Sequence, residues 1–393
     1  MLFKNIRIID SVTDRYTNLL IQKDSFYELT DTDIGDYKKY TKIIEKKGLV
    51  LMPSFIDLHC HLREPGYTYK EDLYSGQQAA LAGGFTTICC MANTRPVCDN
   101  PETIQYIRDK ANALGMCQVI PISAVTENLK TNKMVNFQEM IRFTRLFSND
   151  GQPITDKKIM IEALLASSLY QFHLLTHCEP EVEMIDRDLQ LLESYGGNLH
   201  ICHISKRESV ELIRTAKRKG LKLSCEVTPH HLFSYGLDYP VNPPFSKKQD
   251  REALWEGLLD GTIDIIATDH APHSKEDMLK GATGLIGLEH AFSLVYTKFK
   301  ERNINLQLLS QLISEAPAKL LNIPPVRFDQ ASKVNLVLLD LEKNYVIMEK
   351  DIISKSKNTP FLGQTVSGKV IITIKNGKIK YIHRDSNIKV LNN

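Results

Sequence analysis

The stretch from Val50 to Gly66 reads VLMPSFIDLHCHLREPG. Its first half is a short run of large apolar residues, the pattern of a strand buried on both faces. The residues after that run discriminate between α/β folds. A doubly wound nucleotide-binding sheet would place G-x-G-x-x-G after its first strand, whereas this strand opens into DLHCHLREPG. Seven further apolar runs lie along the chain: Phe85–Met91, Val119–Ile122, Arg145–Phe147, Phe172–Thr176, Leu199–Ile204, Lys222–Val227 and Ile263–Thr268. Between most of them lie amphipathic stretches predicted as helices: Lys70–Ala82, Pro101–Leu114, Ile159–Ser168, Glu181–Tyr195, Glu208–Lys219 and Asp250–Leu259. Eight strands interleaved with helices predict an α/β protein built as a (β/α)₈ TIM-like barrel, with an open doubly wound sheet as the alternative.

The two ends of the chain read differently. Phe3–Ile9, Leu19–Gln22 and Thr41–Ile44 at the start, and Val334–Leu339, Gly368–Ile374 and Lys378–Ile382 at the end, are strand-like runs. Asn376-Gly377 between the last two is a strong hairpin signal. Neither end is large enough to fold alone. The expectation is a small β-sandwich domain formed from both termini, residues 1–49 and 330–393, around a barrel of residues 50–329. Residues 124–137 and 270–286 are the expected long loops.

Composition narrows the function. The 393 residues carry 49 Lys+Arg against 47 Asp+Glu, a formal charge of +2, so no broad basic field exists for nucleic acid. The cluster Lys217-Arg218-Lys219 reads as a solvated helix end. A hydrophobic share of 42% supports a packed core and excludes a disordered chain. No run of about 20 apolar residues is present to span a membrane, and MLFKNIRIID lacks the apolar core of a signal peptide. Eight cysteines in a chain of this length are not a disulfide scaffold. The expected compartment is therefore the cytoplasm.

The chemistry concentrates at the strand ends. Alternation along the first strand predicts Asp57, His59 and His61 on one face and Leu58 and Cys60 on the other. Two imidazoles on one face can both reach a single metal ion. Asp150, His177, His203 and Asp269 follow the fourth, fifth, sixth and eighth runs. These six N/O ligands thus fall at the C-terminal strand ends, where barrel enzymes place their active sites. Cys60, Cys178 and Cys202 each neighbour one of these histidines. By alternation they are expected to face the covering helices as packed thiols. An imidazole–carboxylate set suits Zn²⁺ and also Mn²⁺, Fe²⁺ or Co²⁺. A bound ion of this kind lowers the pKa of water from ~15.7 to roughly 7. Asp269 is the candidate to carry a proton from that water to a leaving nitrogen; Asp150 is the candidate ligand that could bridge two ions. Arg63 is the expected clamp for a carboxylate or phosphate, with Asn93, His273 and Asn242 as further polar contacts. His230 and His231 read as supporting or packing residues. His173, His200, His290 and His383 receive no role.

These residues closely resemble the dihydroorotases of the amidohydrolase superfamily, in their long bacterial-type class. The segments that carry the resemblance span most of the chain in order. They include DLHCHLREPG (57–66), GGFTTICCMANTRPV (83–97), FSNDG (147–151), HCE (177–179), CHIS (202–205), EVTPHHL (226–232), IIATDHAPH (265–273) and NTPFLGQTVSGKV (358–370). The resemblance implies a metal-dependent cyclic amidase that interconverts dihydroorotate and N-carbamoyl-aspartate, with one or two Zn²⁺ per subunit. It implies His59, His61, Asp150, His177, His203 and Asp269 as metal ligands, with Asp269 also the general acid/base. Arg63, Asn93 and His273 would hold the substrate carboxylate, and Asn242 with the backbone near Thr283-Gly284 would hold the ring. Asp150 stands where hydantoinases and allantoinases of this superfamily use a carboxylated lysine, so none is expected here. The implied fold agrees with the pattern read above. A homodimer and an association with aspartate transcarbamoylase are the partner states it leaves open.

The chain also departs from the family pattern. MANT replaces MPNT, Asn149 precedes Asp150 in place of a paired acid, and NPPFS lacks the usual arginine. Only residues 178–202 separate His177 from His203, where the family carries a longer insertion over the mouth of the site. Another loop, a second subunit or a partner is expected to cover that gap. Two rival readings are a cyclic amidase acting on a hydantoin-like or allantoin-like ring, and a non-catalytic partner of aspartate transcarbamoylase.

Overall fold

The computed structural model describes residues 1–34, 43–44, 48–130, 133–330 and 332–384. Eight strands run parallel: Phe55–Cys60, Phe85–Cys90, Gln118–Pro121, Leu146–Ser148, His173–Thr176, Leu199–Ile201, Leu223–Val227 and Ile265–Ile266. The first three pair in order, as do the last five. Two parallel bridges close the ring, Ser123 to Phe147 on one seam and Cys60 to His270 on the other. The barrel is therefore complete, and the open-sheet alternative is set aside.

The covering helices follow their sequence signals. Pro101–Leu114 and Glu181–Tyr195 form residue for residue as expected, and Leu73–Ala82, Lys157–Tyr170, Arg207–Arg218 and Lys248–Leu259 within a few residues. Helix Pro101–Leu114 shows why. Asn100 caps it by accepting from the Thr103 N–H, proline occupies its first turn, and Gly115 ends it in the left-handed region at φ 63°.

One expected strand divides. Val50–Leu58 is two strands, Leu49–Pro53 and Phe55–Cys60. The first belongs to the terminal sheet, pairing antiparallel with Leu336–Asp340. Ser54 between them donates its backbone N–H to the Asn335 carbonyl. The apolar run is continuous because both strands are buried, so periodicity alone could not show the crossing from one sheet to the other. The eight-stranded terminal sheet joins the start and end of the chain through the pairing of Leu2–Ile9 with Leu49–Pro53. Thr41 and Lys42 of the expected strand Thr41–Ile44 lie outside the described residues; Ile43–Ile44 pairs with Leu2–Phe3. Residues 131 and 132 of the expected loop 124–137 also lie outside them. The Asn376-Gly377 hairpin forms between Thr365–Lys375 and Lys378–Ile382, with φ 49° and 70°. Positive φ at both positions is the turn that Asn-Gly favours.

Two separate cores hold the barrel. One lies inside it: Ile56, Leu58, Cys89, Met91, Ile122, Leu146, Leu175 and Ile265 converge from six strands or their ends, and Ala318 joins them from the helix beneath. The larger one lies between strands and helices and includes Phe55, Cys60, Phe85 and Trp255. Burying a Leu or Ile in either stabilises by roughly 1.5–3 kcal/mol.

Candidate metal centre and active site

The first strand places its side chains by breaking its own alternation. Ile56 and Leu58 face the barrel interior, while Cys60 packs outside. Leu58 and Cys60 were expected on one face, and the structure separates them. The reason is local: the pairing with Phe85–Cys90 shifts register between Asp57 and Cys60, and such an irregularity re-aims the residues around it. Asp57 turns to the barrel seam and accepts from the Thr268 N–H and hydroxyl at 2.8 and 2.6 Å.

All six candidate ligands meet at the C-terminal mouth of the barrel. Four imidazoles surround Asp150: His59 Nε2 at 3.3 Å, His61 Nε2 at 3.4 Å, His177 Nδ1 at 3.5 Å and His203 Nε2 at 3.6 Å. Asp269 Oδ1 lies 3.3 Å from His61 Nε2 and 3.5 Å from His59 Nε2. Among the described residues, three groups of donor atoms lie within 4.8 Å of one another and could hold a cation, and two of them sit here: His59, His61 and Asp150, and Asp150, His177 and His203. Asp150 is common to both. His59 Nε2 and Asp150 Oδ1 are buried without a hydrogen-bond partner. Such orphaned atoms need a partner of another kind, which a bound divalent ion would supply.

The backbone is strained where these groups sit. Arg63, His203 and Asp269 have φ of 59°, 33° and 46°. Non-glycine residues held there cost of order 1–3 kcal/mol each. The electrostatics are equally local. Burial raises the Asp150 and Asp269 carboxyls, but the adjacent imidazoles, His59 foremost, outweigh it and hold both well below the usual carboxylate range. Both therefore stay ionised and able to bind a cation.

Supporting hydrogen bonds orient the imidazoles. His59 Nδ1 lies 2.7 Å from Glu226 Oε1, and the other oxygen of Glu226 lies 3.0 Å from His200 Nε2. Burial opposes ionisation of Glu226, yet His59 and His200 bring its pKa down to about 2. His61 Nδ1 lies 2.8 Å from Asn93 Oδ1. Neither Glu226 nor His200 stands out in the sequence. The signal that could have found them is a carboxylate and an imidazole within apolar strands, since a buried charge needs a partner.

The expected substrate contacts adjoin this cluster or one another: Asn93 meets His61, Asn242 meets His177, and Arg63 meets His273. Arg63 donates from Nε to the Pro272 carbonyl at 3.0 Å, and its Nη2 lies 3.0 Å from His273 Nε2. Burial lowers the Arg63 pKa to about 10, so it remains a cation at neutral pH. Burial and the Arg63 charge hold His273 at about 3, hence neutral. Asn358, another residue that sequence reasoning missed, accepts from the His273 N–H at 3.1 Å. Its amide donates to the Ala271 and Gly284 carbonyls at 3.0 Å each. Gly284 donates its own N–H to the Pro240 carbonyl at 2.9 Å, and Thr283 beside it is exposed. Asn242 Nδ2 lies 3.4 Å from His177 Nε2 and donates to Glu179 at 2.8 Å. His231 bonds Thr228 and the Pro243 carbonyl.

The amidohydrolase family model matches residues 50–380. The chain belongs to the amidohydrolase family. A dihydroorotase of Clostridium botulinum is 38% identical over 97% of this chain and 99% of its own length. One of Caldicellulosiruptor saccharolyticus is 36% identical over 96% and 98%. Among solved structures, an L-hydantoinase from Arthrobacter aurescens superposes with a TM-score of 0.84 at 21% identity, covering 96% of this chain and 95% of that one. A D-hydantoinase from Thermus sp. gives 0.81. These likenesses establish the amidohydrolase barrel.

In this amidohydrolase the cysteines correct one expectation. All eight are free and buried. Cys60 and Cys178 pack toward the helices as expected, but Cys202 faces the barrel interior. Its thiol is close enough to His59 and Glu226 to form a compact group with them. Burial pushes that thiol far up, so it stays protonated. The sixth strand ends at Ile201, and alternation no longer governs the residue beyond it.

Proposed function

We propose that this amidohydrolase is a dihydroorotase. It hydrolyses the ring amide of (S)-dihydroorotate to N-carbamoyl-L-aspartate, and reverses that step, in de novo pyrimidine (UMP) biosynthesis. The observation that carries this is the match to dihydroorotases along nearly the whole of both chains. The site geometry supports it: a buried arginine stands beside the carboxylate–imidazole cluster, as an anionic ring requires.

The roles follow from chemistry. His59, His61, Asp150, His177, His203 and Asp269 would hold Zn²⁺, one or two ions, with Asp150 positioned to be shared. A bound ion supplies a lowered water pKa and polarises the amide carbonyl. Arg63, with Asn93 and His273 near it, would bind the substrate carboxylate through charge-assisted hydrogen bonds. Asn242 and the backbone at Thr283 and Gly284 would face the ring. In hydrolysis the carbonyl carbon gains the water oxygen and the C–N bond breaks. Asp269 takes a proton from the attacking water and delivers it to the departing nitrogen; ring closure runs the same transfer backwards. Asn93 would reach substrate from its amide nitrogen, because its oxygen faces His61.

We further propose a cytoplasmic enzyme; no helix among the described residues is long and apolar enough to cross a membrane. A barrel of about 50–329 and a small β unit from 1–49 and 330–393 complete the reading, with Leu49–Pro53 contributing to the terminal sheet. Between His177 and His203 stand helix Glu181–Tyr195 and strand Leu199–Ile201. A homodimer partner or an associated aspartate transcarbamoylase would cover the mouth there. The deciding experiment measures dihydroorotate hydrolysis and metal content on the same purified sample. Turnover with bound metal is expected, and Arg63→Ala should lower kcat/KM for dihydroorotate by about 100-fold or more, the scale of a lost buried charge pair. Turnover confined to neutral rings, or indifferent to Arg63→Ala, would replace this reading with another cyclic amidase.

A further inference from the structure

A second cavity lies at the opposite, N-terminal end of the barrel. The starts of the first three strands and the edge of the terminal sheet enclose about 430 Å³, within the range of small-molecule sites. Three cations line it: Arg108 from helix Pro101–Leu114, Lys333 ahead of strand Leu336–Val346, and Lys375 at the end of strand Thr365–Lys375. Among the described residues no aspartate or glutamate lines it. Arg108 donates to the Phe143 carbonyl at 3.4 Å. None of the three pairs with a carboxylate among the described residues.

Several cations elsewhere in the molecule are paired, as in Arg7–Asp14, Lys217–Asp264 and Arg302–Glu252. Lys375 is half-buried, and burial lowers its pKa, the mark of a charge lacking compensation. The rest of the wall is divided. Thr87, Gln118 and Asn335 offer hydrogen bonds, while Ile120, Phe143 and Val326 offer an apolar face.

We propose that this cavity binds a small phosphorylated organic anion of nucleoside monophosphate size. Its phosphate would meet Arg108, Lys333 and Lys375, and its body the amide and apolar walls. A phosphate carries close to two negative charges at neutral pH and several acceptor oxygens, which three unpaired cations match. The volume exceeds what inorganic phosphate alone would fill. The site is remote from the catalytic mouth and independent of the reaction assigned there.

The test is calorimetric titration of the full chain with a purine and a pyrimidine nucleoside monophosphate, and separately with inorganic phosphate, at low salt. Saturable binding of at least one nucleotide is expected, tighter than inorganic phosphate. Lys333→Gln with Lys375→Gln should weaken it at least tenfold, with metal content and nucleotide-free turnover unchanged. If the double variant does not fold, Lys333→Gln alone, at an exposed position, serves and should weaken binding severalfold. No binding, binding indifferent to these substitutions, or inorganic phosphate binding as tightly as the nucleotides overturns the proposal.

Discussion

Two adjoining layers of one barrel are built from the same strands and made of opposite materials. Leu175 and His177 lie two residues apart along the fifth strand and its exit. Leu175 is fully buried among carbon atoms from neighbouring strands. His177 turns to Asp150 and His203, both within 3.5 Å. Below the mouth the backbone pairs in steady parallel register. At the mouth it leaves the strand, and Arg63, His203 and Asp269 take up positive φ. The contrast is a division of labour. The apolar layer supplies burial energy, and the mouth holds like charges, orphaned atoms and strained backbone that this layer must offset.

Four substitutions test that division, in descending order of effect. Asp269→Asn removes a carboxylate at the mouth and should cut kcat by about 10³-fold or more, the scale of a positioned acid/base. Its denaturant midpoint should fall only by the stabilisation that the neighbouring imidazoles give the carboxylate, and loss of the folded state would mean that the lost activity reports on folding. Leu175→Ala is the mirror experiment. A fully buried leucine in a closed core should cost about 2–5 kcal/mol of unfolding free energy, read from the urea midpoint, while kcat per folded molecule stays near wild type. Glu226→Gln probes the seam between the layers. It keeps the shape but weakens the support on His59, so metal affinity should fall roughly 10–100-fold in a chelator competition. Unchanged affinity would make Glu226 a packing residue.

The mildest effect concerns an imidazole in neither layer. Burial, reinforced by Lys369, lowers the His290 pKa to about 3. Its folded pKa lies below the unfolded value of ~6.5. The unfolded chain therefore binds the extra proton first on acidification. The His290 contribution is complete above that pH and is lost as pH falls toward 3, at up to about 1.4 kcal/mol per pH unit. Melting curves from pH 7 to pH 5 should show this slope, and His290→Gln should flatten it. An unaltered slope would place the acid lability elsewhere.

Much of the layout was legible in the residues. Periodicity announced the barrel strands, and the helix Pro101–Leu114 carries its own cap, first-turn proline and terminal glycine. His59, His61, Asp150, His177, His203 and Asp269 could be gathered in advance because their common position at strand ends is a property of chain order. Other features were hidden for a definite reason. Val50–Leu58 conceals a passage between two sheets, since an apolar run looks the same in either. Glu226 and His200 act only through a neighbour far along the chain.

The order of elements, the barrel class and the set of groups at its mouth are thus written in the linear chain, because period, capping and strand-end position are local signals. Folding settled which way Leu58, Cys60 and Cys202 point, which polar groups brace the imidazoles, and where three cations lie without carboxylates. Those outcomes depend on register shifts, on closure of the ring and on the approach of residues such as Thr87 and Lys375 to one cavity, which the folded chain alone brings about.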